Sequence, residues 1–165
     1  MKGDPKVIDF LNRYLSIELT GHKQYLLHSR LCGRWGYRRL KETQDNYSNE
    51  EWVHIGRLAE RILFLEGKLG LQDDRAVEET SGVEAQFELD RALIAHACGV
   101  LREAVGYCLG HGDPVSEALF REMLVDEEEH IHWVETQLDL IRRVGLQNYL
   151  CEQMRPLQPG PSQPA

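Results

Sequence analysis

The chain has 165 residues and a formal net charge of −8. That length suits one domain, with a core large enough to fold without disulfides or a structural metal. The acidic balance disfavours non-specific nucleic-acid binding, which needs a basic face, and is compatible with attracting cations.

The chain reads as helical almost throughout. Asp4 followed by Pro5 supplies an N-cap and then a proline at the first helical position. Val7, Ile8, Leu11, Tyr14, Leu15, Ile17, Leu19, Tyr25 and Leu26 recur at helical spacing up to about Arg34. Gly33 and Gly36 bracket a turn around Trp35. A second helix is predicted from about Tyr37 to Glu66, ending at Gly67, with R-L-A-E-R-I-L-F-L-E-G as its strongest stretch. Lys68 to Gly82 shows no sustained period. At about 15 residues it exceeds the usual loop length, enough to run along a bundle and join two parallel helices. A third helix is predicted from about Val83 to Gly110. The segment G-H-G-D-P breaks the chain, and Asp113-Pro114 opens a fourth helix that ends near Gly145. Leu146 to Met154 is a short fifth. Arg155 to Ala165 carries four prolines and a glycine and is expected to be a disordered tail, leaving residues 1–154 as the domain. Apolar and polar residues never alternate for long, so no strand is expected. The fold class is all-α: a four-helix bundle with one long crossover and a short fifth C-terminal helix, the ferritin-like arrangement.

No apolar run is read as long enough to span a bilayer. The first residues, MKGDPKVIDFLNRYL, lack the apolar core and cleavage site of a signal peptide, so the expected location is the cytoplasm. Cys32, Cys98, Cys108 and Cys151 form no C-x-x-C pair and no zinc-knuckle spacing. They read as reduced and mostly packed.

The chemistry is carried by Glu-x-x-His pairs. Residues three apart on a helix point the same way, so each pair can hold a metal ion from one helix. Three pairs occur: Glu51 with His54, Glu127 with His130, and Glu129 with His132. Chance alone gives on the order of one match in such a composition, so placement decides. Glu51 lies in the middle of the second helix and Glu127 in the middle of the fourth. Glu18 lies in the middle of the first, and all three can meet at one height. Met123, Leu124 and Val134 put Glu127 and His130 on an apolar stripe, whereas Glu129 and His132 fall among Glu128 and Glu135 and read as solvated surface. His22, one turn from Glu18, reads as a satisfied polar histidine. Carboxylates converging inside a bundle need cations or protons to offset lost hydration. Carboxylate with imidazole suits iron, manganese or zinc better than copper(I) or calcium.

These segments resemble bacterioferritin nearly end to end: M-K-G-D-x-K-V-I, E-R-I-L-F-L-E-G, L-R-E-A-V-G-Y, D-E-E-E-H-I-H-W and L-D-L-I-R-R-V-G-L-Q-N-Y-L. Only the proline-rich tail looks added. The resemblance implies a cage of 24 subunits that takes up Fe2+, oxidises it with dioxygen at a di-iron ferroxidase site in each subunit, and stores the ferric mineral. It implies Glu18, Glu51, His54, Glu127 and His130 as the non-haem iron ligands. Glu51 and Glu127 would bridge, and His54 and His130 would each be terminal. Tyr25 and Trp133 match aromatics near that site.

Two positions depart from the family. The second terminal carboxylate, on the third helix, falls at Ile94. Asp90 is one turn away, too far for a simple replacement, and His96 points elsewhere. The methionine that holds haem between paired subunits falls at Trp52, whose indole N–H only donates, so no thioether-ligated haem b is expected from this chain. The expected function is iron storage with a weakened ferroxidase centre, co-assembled with an intact paralogue. The alternatives are a non-catalytic subunit of a mixed cage and a ferritin-like enzyme with other oxidative chemistry. Neither membrane nor nucleic acid is an expected partner.

Overall fold

The computed structural model describes residues 2–155. Five helices follow in order: α1 (Pro5–Trp35), α2 (Arg38–Phe64), α3 (Val83–His111), α4 (Pro114–Val144) and α5 (Leu146–Gln153). The described residues contain no strand. The expected tail falls almost wholly outside them.

The helix ends follow local chemistry. Asp4 Oδ1 accepts the backbone N–H groups of Lys6 and Val7, satisfying donors that the first turn cannot pair. Asp113 caps α4 in the same way through the N–H of Ser116. Gly36 and Gly112 end α1 and α3 with φ of 87° and 71°, where a side chain would be strained. The helix therefore continues through Gly33 rather than turning there. At the end of α2 the left-handed residue is Glu66 (φ 59°), one before the expected Gly67. The N–H of Gly67 returns to the carbonyl of Ile62 at 2.9 Å and closes the turn.

The short turns make α1/α2 and α3/α4 two antiparallel hairpins. The crossover after α2 runs back along α1, as its length suggests. Asn12 holds Lys68 and Gly70, Ser16 and Thr20 accept from the N–H of Asp74, and Lys23 pairs with Asp73 at 2.7 Å. It ends beside the end of α1, where the Cys32 thiol donates to Gln86 Oε1 at 3.3 Å in the first turn of α3, so α3 runs parallel to α2.

The core has two parts on either side of a polar level. One joins Leu11, Ile62, Leu101 and Phe120; the other joins Cys32, Leu40, Phe87 and Val134. Three of the cysteines are buried, as their composition suggests, while Cys151 is exposed. One expectation needs correcting. By length and composition α3 is apolar enough to cross a bilayer. The pattern misled because its apolar residues are spread around several faces. Here Phe87, Leu93, Ile94, Leu101 and Cys108 point into the bundle, beside buried Gln86 and Asp90.

Candidate metal centre

Glu18 (α1), Glu51 and His54 (α2), and Glu127 and His130 (α4) are all buried at the level between the two core regions. Helical spacing places them there. Each Glu-x-x-His pair shares one helix face, and the neighbours on that face are apolar. Glu18, Glu51 and His54 present ligand atoms within 4.8 Å of one another. His54 Nδ1 stands 3.5 Å from Glu18 Oε2 and 3.4 Å from Glu51 Oε2. His130 Nδ1 lies 3.9 Å from Glu51 Oε1, so Glu51 stands between the two imidazoles. Glu127 accepts a 2.9 Å hydrogen bond from the Tyr14 hydroxyl.

No lysine or arginine forms an ion pair with Glu18, Glu51 or Glu127 among the described residues. Both oxygens of Glu18, one of Glu51 and the Nδ1 atoms of both histidines are buried without a hydrogen-bond partner. Such groups are costly unless something binds them. Burial raises the proton affinity of all three carboxyls. Burial pushes Glu18 up to about 8. Glu51 is raised by burial and then by Glu18, and Glu127 by burial and then by Glu51. Burial pulls His54 down, but Glu51, Asp126 and Glu127 outweigh it and raise it above its ordinary value. A divalent cation would substitute for these protons. Glu18, Glu51 and His54 alone among the described residues converge closely enough to hold one ion, a donor set that fits a borderline transition metal, while Glu127 and His130 lie nearby but outside that group.

The structure adds two residues that sequence reasoning missed. His54 Nε2 lies 3.3 Å from Asp126, and His130 Nε2 lies 2.9 Å from Glu50. Glu50 is hydrogen-bonded to the outer nitrogen of His130, Asp126 lies within ion-pair distance of that of His54, and Nδ1 of each ring faces the cluster. Carboxylate partners of this kind fix the tautomer and ring orientation of metal-binding histidines. Glu50 is correspondingly held below its ordinary value, first by the His130 hydrogen bond. These pairs cross between α2 and α4, a relation no spacing within one helix reveals.

The remaining expectations resolve as follows. Glu129 and His132 are exposed, and His22 is half-buried with Nδ1 2.8 Å from the Ser48 carbonyl. Tyr25 is buried beside the glutamates. Trp133 meets Tyr47 edge-on, and Tyr47 packs 4.2 Å from the His130 ring. Trp52 points outward, 61% exposed, against His22. Ile94 is buried at the level of the cluster, where α3 supplies no carboxylate. His96 is exposed near Asp74. Asp90 is fully buried and already engaged: it accepts from Gln24 at 2.7 Å and Gln44 at 3.1 Å, with His28 Nδ1 at 3.1 Å. The His28 contact has the distance of an ion pair without hydrogen-bond alignment.

A four-helix bundle with one long crossover and a carboxylate–histidine cluster at mid-height defines the ferritin-like class. The comparisons with known proteins agree. Residues 8–144 match the family described as Ferritin: Ferritin-like domain, and the chain belongs to that family. It is similar to the bacterial ferritin of Pseudomonas aeruginosa, 39% identical over 93% of this chain and 100% of that protein. It is also similar to the bacterioferritins of Brucella melitensis (42% identical, 90% and 92% covered) and Streptomyces coelicolor (38%, 99% and 98%).

Proposed function

We propose that this chain is an iron-storage subunit of a ferritin cage, taking up Fe2+ at Glu18, Glu51, His54, Glu127 and His130. The observation that carries the reading is the set of buried, unpartnered ligand atoms, with no lysine or arginine pairing the three glutamates among the described residues. Fe2+ is the substrate: it gives up an electron to dioxygen and passes into a ferric mineral. The residues supply anionic oxygens for the cation, and two imidazoles whose outer nitrogens are fixed by Asp126 and Glu50.

The ferroxidase step is weakened. Glu18, Glu51 and Glu127 come from three helices, while α3 contributes Ile94 at the same level. One metal position therefore has fewer anionic ligands, binds its ion weakly, and slows paired oxidation. Co-assembly with an intact paralogue in a 24-subunit cytoplasmic cage would complement this loss. The similarity to bacterioferritins supports that assembly, and Trp52 argues against a thioether-ligated haem from this subunit. Ile94 also favours a second reading, a non-catalytic subunit that completes a mixed cage.

Anaerobic Fe2+ titration followed by oxygen exposure separates the readings. Tight binding near one Fe2+ per subunit with slow oxidation supports the first. No saturable binding supports the second. Fast oxidation saturating at two irons per subunit removes the claim of a weakened centre.

A further inference from the structure

On α4, Trp133, Gln137, Leu140 and Val144 follow at helical spacing and share one face. They wall a groove of about 700 Å3 that none of the five candidate iron ligands lines. Leu140 and Val144 are 40% and 46% exposed there. Tyr149 and Cys151 of α5 and Arg39 of α2 also line it. Arg39 Nε is buried without a hydrogen-bond partner among the described residues. An unmatched donor of this kind favours an occupant that brings an acceptor. The described chain ends on the rim of this groove. Glu152 and Gln153 line it, and Arg155 pairs with Glu152 at 3.6 Å. Residues 156–165 follow, with the sequence PLQPGPSQPA. Pro156 and Pro159, and again Pro161 and Pro164, have the P-x-x-P spacing of segments that dock as polyproline II in aromatic-lined grooves. In that conformation the backbone has no internal hydrogen bonds, so its carbonyls are available as acceptors. Residues 156–165 would span about 31 Å, whereas Trp133 to Val144 covers about 17 Å along α4.

We propose that this groove is the docking site of the chain's own residues 156–165, which return along α4 as an extended polyproline segment. Proline rings and Leu157, the one large apolar side chain of the segment, cover Trp133, Leu140 and Val144. A carbonyl or a Gln158 oxygen accepts from Arg39 Nε. The fixed φ of proline means that little chain entropy is lost on docking. The tether favours the chain's own segment over a neighbour's. It holds the segment at an effective concentration on the order of 1 mM, so an intrinsic dissociation constant of about 0.1 mM already fills the groove about nine times in ten. Docking then shields Cys151, the exposed member of the four cysteines, and slows its reaction with a thiol reagent about tenfold.

Alkylation of Cys151 by iodoacetamide, followed by mass spectrometry of the native protein, tests this. The other three cysteines are buried, so the rate reports the groove. Deleting residues 156–165 should raise the rate about tenfold over the full chain. Replacing Pro156, Pro159, Pro161 and Pro164 together by Gly keeps the length and should raise it nearly as far, because the preset conformation is lost. Arg39→Gln should raise it in the full chain and leave it unchanged in the shortened one. A second copy covering the groove would keep Cys151 slow after the deletion, and an empty groove would keep it fast in the full chain; either result overturns the proposal. A neighbour's segment is separated by co-expressing shortened chains with full chains carrying Cys151→Ser. The shortened copy's Cys151 should stay fast in the mixture, and protection there overturns docking within one chain.

Discussion

Tyr14 on α1 donates a 2.9 Å hydrogen bond to Glu127 on α4, joining two residues 113 apart in the chain. The bond ties the first helix to a carboxyl that burial alone would leave badly solvated. Tyr14 is itself fully buried, and burial, followed by the charge of Glu127, raises its hydroxyl well above the ordinary tyrosine value. The hydroxyl therefore keeps the proton that it donates to Glu127.

Tyr14→Phe keeps the ring and removes that donor. The metal-free protein should lose about 1–3 kcal/mol, the usual cost of leaving a buried acceptor unmatched. Thermal unfolding at fixed protein concentration measures it. A loss below about 0.5 kcal/mol would mean that another group, or water, replaces the hydroxyl.

The raised carboxyls set a pH dependence for the metal-free protein. Glu18 titrates near 8 when folded and near 4.5 in its unperturbed state. Glu51, Glu127 and His54 shift in the same direction. Across that window the folded state binds more protons, so stability is greatest at its acid end and falls as pH rises through about 8. Asp45, Asp113, Glu50 and Glu122 are lowered, so their contribution is lost as pH falls through their own depressed values, below this window. Metal competes with the cluster's protons, so its affinity should rise over the range where metal-free stability falls. Melting curves from pH 5 to 9, with chelator and with Zn2+, check both signs. A chelated protein whose melting temperature climbs from pH 6 to 8 contradicts the burial account.

Asp126 tests whether the outer carboxylates position the imidazoles. Asp126→Ala frees His54 Nε2 and should weaken Co2+ binding about 10- to 100-fold. Asp126→Asn keeps an acceptor oxygen and should recover much of that loss. Equal affinities in both variants would make Asp126 a surface acid with no role at the centre.

Much of this was legible in the sequence. The helices follow from an apolar period sustained over many turns, and the capping residues Asp4 and Asp113 fix two starts. The Glu-x-x-His pairs were visible because both partners lie on one helix. Relations between helices were not. Gln24 and His28 on α1, Gln44 on α2 and Asp90 on α3 form one buried group, yet no local pattern joins them. Glu50 meets His130 across α2 and α4, a contact that no pattern within one helix marks. The apolarity of α3 was not read, because charged residues such as Asp90, Arg91 and Arg102 interrupt it and leave no continuous apolar run.

The Asp90 group carries its own expectation. Asp90→Ala would leave the amides of Gln24 and Gln44 without their acceptor. Stability should fall by about 1–3 kcal/mol, the range for leaving buried donors unmatched. The centre is one turn away, so Co2+ affinity should change far less than stability. Equilibrium unfolding and cobalt titration of the same variant separate the two effects. A large affinity loss with little destabilisation would instead place Asp90 within the metal centre.

Ile94→Glu reverses sign with metal, which makes it the most discriminating substitution. In the metal-free protein it buries a fourth carboxyl beside Glu18, Glu51 and Glu127, where burial and mutual repulsion already raise the existing three. The new group must stay protonated or force a rearrangement, so metal-free stability should fall by about 1–3 kcal/mol and more steeply with pH. With Fe2+ or Zn2+ present the added carboxylate becomes a ligand. It should strengthen the weaker metal position, raise the stoichiometry toward two per subunit and speed aerobic Fe2+ oxidation. Ile94→Gln controls for volume: it offers a neutral oxygen of similar reach without the added charge, so it should restore little of the rate. If Glu and Gln behaved alike, the defect at this level of the bundle would lie in shape rather than in missing charge.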